Sequence, residues 1–361
     1  MYLELKKKIR QYKASDEFRA ESQELVNKSL WDYNISFKKN TQPFLPSYFN
    51  IKLDSNKYEL DNFSPIEFNN TLNEDIFEKE CYGINGTISS VINAEHVDSD
   101  WMTGVFLARE ITSSLTSGKF NSIINTWHNG CQNGILRGFN HFYQSSKYCG
   151  NKRIKWEWKG VDLKPNPLPI LIGAMGNGDV CIGSNIISLG NKLKEEWKDG
   201  VDILIHDIYP VKEKILISGI LSACIFLNDL GYLVLRLPEP HKWDTNTVNI
   251  ILTICMIFKN VNIWIPKWGL RCGQKKIYLI ACKKKKTIFK DNHRGFLQIL
   301  NNKGHFHFLK STVYDDEEIK EWLEILTNIK NEIINDSDEQ CIRDDWISIL
   351  MNNLLPLSKK I

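Results

Sequence analysis

Between Asp98 and Lys286, apolar runs of strand length alternate with stretches of helical period, and this alternation organises the chain. The run 201–207, rich in branched side chains, predicts a strand; 214–230 keeps a helical period; 232–237 predicts the next strand. A second helix is expected over 247–258, with further strands at 261–265 and 277–282. Strands that alternate with helices in this way argue for the α/β class: a Rossmann-like, doubly wound, mostly parallel sheet that takes ligands at the carboxyl ends of its strands.

The pattern changes on both sides of this region. Residues 1–95 are polar and dotted with aromatics; Leu5, Ile9 and Tyr12 define one face of a first helix, and Pro43 and Pro46 break the pattern into extended chain. They read as an N-terminal extension. Residues 287–361 turn mostly helical, with 315–334 amphipathic and its acidic start and later lysines matched to a helix macrodipole. The expected organisation is an extension (1–95), an α/β domain (96–286) and a C-terminal helical segment (287–361), with no internal repeat.

Composition narrows the chemistry. The 361 residues carry 46 basic and 43 acidic side chains, a net charge of +3, which is too balanced for a polyanion binder by bulk charge. A nucleic-acid surface must then be local, and the run Lys283, Lys284, Lys285, Lys286 is its candidate: four clustered ammonium groups for RNA phosphates, or alternatively a solvated tail to a strand. Nine cysteines without a CxxC pair suggest neither a disulfide framework nor a zinc ribbon and fit a reducing compartment. His293, His305 and His307 lack spaced cysteine or carboxylate partners, so no metal is expected. No apolar run reaches the roughly 18 residues of a membrane span and the start lacks a signal-peptide core, so a cytoplasmic or nuclear, unsecreted protein is expected. Trp156, Trp158, Trp264 and Trp268 read either as platforms for stacking a nucleobase or as sheet-face core.

Four ordered segments carry a family resemblance. They are Gly138-Phe139-Asn140-His141-Phe142, then the stretch from Trp156 through Asp162 to Pro165, then Gly176-Asn177-Gly178-Asp179-Val180 followed by Ser184-Asn185, and finally three strands ending at Asp207, Arg236 and Cys282. Over about half its length the chain resembles the FtsJ-like RNA ribose 2′-O-methyltransferases, within them the second-nucleotide cap enzymes and their large-DNA-virus relatives. The resemblance implies methyl transfer from S-adenosylmethionine to a ribose hydroxyl, organised by a Lys-Asp-Lys-Glu tetrad. Matched position by position, the tetrad reads Arg109, Asp207, Arg236 and Lys276. It places the cofactor against Gly130, Asn133, Gly134, Asp162, Asp179 and Val180.

The departures are chemical. Arginine stays charged and cannot serve as a base at neutral pH, whereas lysine can be tuned downward. Lys276 reverses a charge, so Arg109, Arg236 and Lys276 around Asp207 suggest a net positive site suited to gripping phosphate. Gly130 stands where the family has an acid, and Gln132-Asn133-Gly134 replaces its Pro-Gly-Gly turn. Arg109 and Arg236 have a plainer reading as structural ion pairs with Glu110, Glu239 or Asp207, and Asp207 as a helix cap. The expectation is a catalytically impaired or inactive homologue, binding capped mRNA or a protein partner in capping or transcription. Its rivals are a working cap 2′-O-methyltransferase and a structural scaffold without RNA binding.

Overall fold

A computed structural model describes residues 32–37, 51–66, 99–115, 121–130, 133–144, 153–162, 174–177, 180–266, 276–285, 309–310 and 316–335. Six α-helices run through them: α1 (Ser99–Leu115), α2 (Asn133–Gln144), α3 (Gly183–Glu196), α4 (Glu213–Phe226), α5 (Thr245–Ile257) and α6 (Asp316–Asn335). The strands are β1 (Tyr33–Asn34), β2 (Ile51–Lys52), β3 (Asn121–Asn129), β4 (Arg153–Asp162), β5 (Ala174–Asn177), β6 (Val201–His206), β7 (Leu227–Leu237), β8 (Phe258–Trp264), β9 (Ile277–Lys284) and β10 (Leu309–Lys310). The first helix expected at Leu5 to Tyr12 and the extended stretch expected around Pro43 and Pro46 lie outside the described residues.

The main sheet has the order β5-β4-β3-β6-β7-β9-β8-β1. From β5 to β7 all neighbours are parallel; β9 is inserted antiparallel between β7 and β8, and β1 closes the edge antiparallel to β8. The chain winds outward from β3 in one direction and returns to start again at β6. This is the expected doubly wound, mostly parallel α/β sheet, with its strand-order reversal between β3 and β6.

Two apolar layers sandwich it. On one face α1 and α2 cover Ile124, Ile203, Ile205, Val234 and Ile280. They cross with almost no separation: a Cβ on Gly104 would lie 2.1 Å from the Ile135 carbonyl oxygen, and one on Gly138 2.2 Å from that of Trp101. Only glycine fits at that crossing. The other face carries α3, α4, α5 and α6. Helix α5 is buried along nearly all its length from Thr247 to Ile257, so it has no solvent stripe. It is covered by the N-terminal segment and by α6: the Leu53 amide donates to Asn249 Oδ1 at 2.9 Å, and Phe37 stacks on Trp322. Lys330, on the apolar stripe of α6, is itself buried and donates to the carbonyls of Asn62 (2.9 Å) and Ser64 (2.8 Å).

One element boundary is corrected. Helix α4 stops at Phe226 rather than continuing to 230, and β7 starts at Leu227. Asn228, Asp229 and Gly231 favour a turn, and Leu227 pairs with Val201, so the ladder takes this segment over from the helix.

A polar network is buried where β3 and β6 meet. Trp127 Nε1 donates to Asn129 Oδ1 at 2.7 Å; Asn129 Nδ2 reaches Ser222 Oγ at 3.1 Å and His206 Nδ1 at 3.0 Å. Since Nδ1 accepts, the His206 proton sits on Nε2, facing Ser218 Oγ. Burial pushes His206 down to about 4 and His128, packed edge-on against Phe139, down to about 3. Both are therefore neutral in the fold, while in the unfolded chain they take up protons near pH 6.5. Stability is complete above that value and falls as pH drops through the window to about 4 and 3. Each histidine contributes a slope of about 1.4 kcal/mol per pH unit within its window. Urea unfolding between pH 7 and pH 4 is expected to show this loss, with a shallower slope in His128→Leu.

Candidate functional site

Sheet direction decides which charges meet. Asp207 follows the end of β6, Arg236 lies one residue before the end of β7, and Lys276 precedes β9. Because β9 runs antiparallel, its beginning joins the carboxyl ends of β6 and β7. Arg236 Nη1 stands 3.3 Å from Asp207 Oδ1. Lys276 Nζ binds Asp100 Oδ1, a carboxylate in the first turn of α1. Tyr278 is the cross-strand neighbour of Arg236 on one side and of Trp264 on the other. The exposed Tyr209 ring lies under the guanidinium, 4.8 Å from ring centre to Cζ.

Three of the four tetrad positions therefore come together, and the fourth is corrected. Arg109 is buried on α1, where its Nε donates to Glu110 Oε1 at 3.1 Å and its guanidinium lies 4.4 Å over the Phe106 ring. The residue that α1 brings to the cluster is Asp100, in the helix's opening turn. This overturns the expected charge as well. Among the described residues two carboxylates and two cations sum to zero, and each cation is held by a carboxylate rather than left free for a phosphate. Arg109 with Glu110, and Arg236 with Asp207, make the ion pairs of the plainer sequence reading.

Burial sets the electrostatics. It raises the Asp207 carboxyl above its ordinary range, with Arg236 and Lys276 opposing the shift and Asp100 adding to it. Tyr278 is fully buried, and its phenol is pushed far up by burial and by the carboxylates of Asp207 and Asp100. Its hydroxyl has no hydrogen-bond partner among the described residues.

The cofactor positions fit poorly where they can be followed. Gly130 ends β3 with φ at +75°, and its amide donates to the Val161 carbonyl at 3.0 Å. A Cβ there would lie 2.8 Å from both the Asp207 carbonyl oxygen and Ile208 Cγ1. The space glycine leaves is thus filled by the chain's own β6–α4 connection, and Gly130 supplies no carboxylate. Asn133 and Gly134 open α2, Asp162 ends β4 and Val180 is buried ahead of α3. The side chains of Asn133 and Asp162 and the whole of Asp179 lie outside the described residues.

The lysine run is also corrected. Lys283, Lys284 and Lys285 lie at the opposite edge of the sheet from Arg236, because β9 has crossed it by then. Of these three, only Lys283 is exposed. Lys284 is buried with its ammonium on the Leu227 carbonyl, and Lys285 donates to the Cys255 carbonyl at 3.1 Å. Burial lowers both, Lys285 to about 8. The run is neither a solvated tail nor four free charges beside the cluster; Lys286 lies outside the described residues. Of the tryptophans, Trp264 is buried against Tyr278, and Trp156 stacks on Tyr143 at 5.1 Å between ring centres. Trp268 and the histidines at 293, 305 and 307 lie outside the described residues. Among the described residues no group of three or more His, Cys, Asp or Glu side chains is placed to hold a metal, and no helix is long and apolar enough to cross a membrane.

Sequence reasoning missed Asp100 and Tyr278. Asp100 carries only the signal of an acidic first turn, and Tyr278 reads as one apolar position in a strand.

No protein-family model matches the sequence, and no curated protein matches it. Among solved structures, similarity is found to a protein from Listeria monocytogenes assigned as a class I S-adenosylmethionine-dependent methyltransferase (15% identity, 76% of this chain and 82% of that one, TM-score 0.35). Spermidine synthase from Thermotoga maritima (10% identity, 56% and 68%, TM-score 0.30) and MnmC2 from Aquifex aeolicus (14%, 58% and 68%, TM-score 0.30) are also similar.

The Asp207–Arg236 pair yields a prediction. Arg236→Met strands a buried carboxylate and is expected to cost about 3–5 kcal/mol at pH 7. The cost shrinks on acidification, because Asp207 then takes a proton. The double variant Arg236→Met/Asp207→Leu should recover most of the loss in urea unfolding.

Proposed function

We propose that this chain is a catalytically impaired homologue of the RNA ribose 2′-O-methyltransferases, acting as a subunit in mRNA capping or transcription. One observation carries the reading: both cations at the carboxyl ends of β6 and β7 are committed to carboxylates, Arg236 to Asp207 and Lys276 to Asp100. A ribose hydroxyl is a poor nucleophile and needs a poised proton acceptor. Arg236 cannot become one, and Lys276 is held as an ion pair. With Lys284 and Lys285 of the basic run anchored to backbone carbonyls, contact with a protein partner is favoured over RNA as the role of the subunit.

A second reading has one observation in its favour. Asp207, raised by burial, has the character of a carboxylate base, and the Tyr278 hydroxyl, without a hydrogen-bond partner among the described residues, lies within electrostatic reach of it. That arrangement suits an active methyltransferase that uses Asp207 in place of the lysine.

Labelled S-adenosylmethionine and capped RNA separate the two. The purified chain is expected to incorporate no methyl group, and calorimetry to find cofactor binding no tighter than about 1 mM, or about −4 kcal/mol. Incorporation that disappears in Asp207→Asn would establish the second reading in place of the first.

A further inference from the structure

Among the described residues, β4 is paired unequally on its two sides. Its inner side meets β3 from residue 153 to 161, whereas β5 meets its outer side only between Gly160 and Asp162. Among the described residues nothing pairs with the outer side of 153–159, and a groove of about 560 Å³ straddles this edge. One wall carries Ile154, Trp156 and Trp158, on the face covered by α2; the other carries Glu157, Lys159 and Trp197. A groove built on the alternate side chains of an unpaired edge is shaped for another extended strand, whose backbone would pair with the edge.

We propose that the occupant is β4 of a second copy of this chain, paired antiparallel about a two-fold axis through Trp156. The segment is self-complementary in that register. Trp156 faces its own counterpart, Ile154 lies opposite Trp158, and Lys155 lies opposite Glu157, twice by symmetry. The alternation keeps the apolar row on the α2 side and both charge pairs on the α3 side, as antiparallel pairing requires. Lys155 is available for this: its side chain is 68% exposed, and its ammonium already pairs with Glu157 of its own strand at 2.6 Å. The outermost pair sets Arg153 opposite Lys159, but Lys159 is neutralised by Glu196. Neighbouring registers are worse. An axis through Lys155 sets that lysine against itself; one through Glu157 sets glutamate against glutamate and Lys155 against Lys159. An axis between residues would place side chains of opposite faces across from each other.

The interface uses neither the Asp207 cluster nor the Gly130 turn, so it stands or falls apart from the methyltransferase reading. Analytical ultracentrifugation of the full chain over about 1–100 µM is expected to show a monomer–dimer equilibrium. Lys155→Glu puts like charges opposite each other at both symmetry-related pairs and should weaken the dimer at least ~10-fold; Glu157→Lys should do the same. The double swap Lys155→Glu/Glu157→Lys restores opposite charges and should restore the dimer. Circular dichroism of each variant checks that the exposed substitutions leave the fold intact. A chain that stays monomeric throughout overturns the proposal and leaves the edge to another occupant. A dimer that neither single variant weakens, or that the double variant fails to rescue, overturns it equally.

Discussion

Because β9 lies antiparallel between β7 and β8, its two lysine-bearing ends are delivered to opposite edges of the sheet, and the charge pattern of the molecule is set by that placement. Lys276 arrives beside the carboxyl ends of the parallel strands, where Asp100 meets it and Arg236 meets Asp207. Lys284 and Lys285 arrive where β7 begins and α5 ends, and there they satisfy carbonyls that would otherwise be buried without a donor. Had β9 been parallel, its basic run would have joined Arg236 and Lys276 would have gone to the opposite end of the sheet. Instead, among the described residues, the charges at that edge are matched, two cations to two carboxylates.

The junction of β3 and β6 is held from below and above. Underneath, Asn129 joins Trp127, His206 and Ser222 in a network where every exchange of partner would strand a buried polar atom. Above, Gly130 turns tightly against Asp207 and Ile208, and the Asp207 amide reaches back to the Asn129 carbonyl at 3.3 Å. Backbone contact thus draws the turns after β3 and β6 together at the strand-order reversal. The same backbone carries Asp207 to Arg236, so the tight turn and the pairing of the charges belong to one arrangement.

The flanking segments complete the body rather than decorate it. Helix α5 is buried on all sides, so it needs cover beyond the sheet face it packs on. The segment from Leu53 to Phe63 and the stripe of α6 supply its missing cover, and Lys330 ties them together through the carbonyls of Asn62 and Ser64. Tyr33 adds a last contact, from the edge strand β1 to Glu332 of α6.

Periodicity sufficed to determine the α/β class, the strands β6, β7, β8 and β9, and the amphipathic α6, because burial on one or two faces leaves its imprint on neighbouring residues. Asp207, Arg236 and Lys276 came into consideration together only through the resemblance to the FtsJ-like tetrad, not through periodicity. What it could not contain was direction and distance. Whether β9 runs with or against β7 is decided by long-range pairing, and that decides whether Lys276 or Lys283 lies beside Arg236. Asp100 replaces Arg109 at the cluster because a helix presents its first turn, not its middle, to the strand ends, and only the α1–α2 crossing over Gly104 and Gly138 fixes how far the helix extends. The lysine run looks solvated in sequence because four charges normally are. In the fold its middle members are anchored on carbonyls that lie 30 and 57 residues away along the chain, a pairing that no local pattern records.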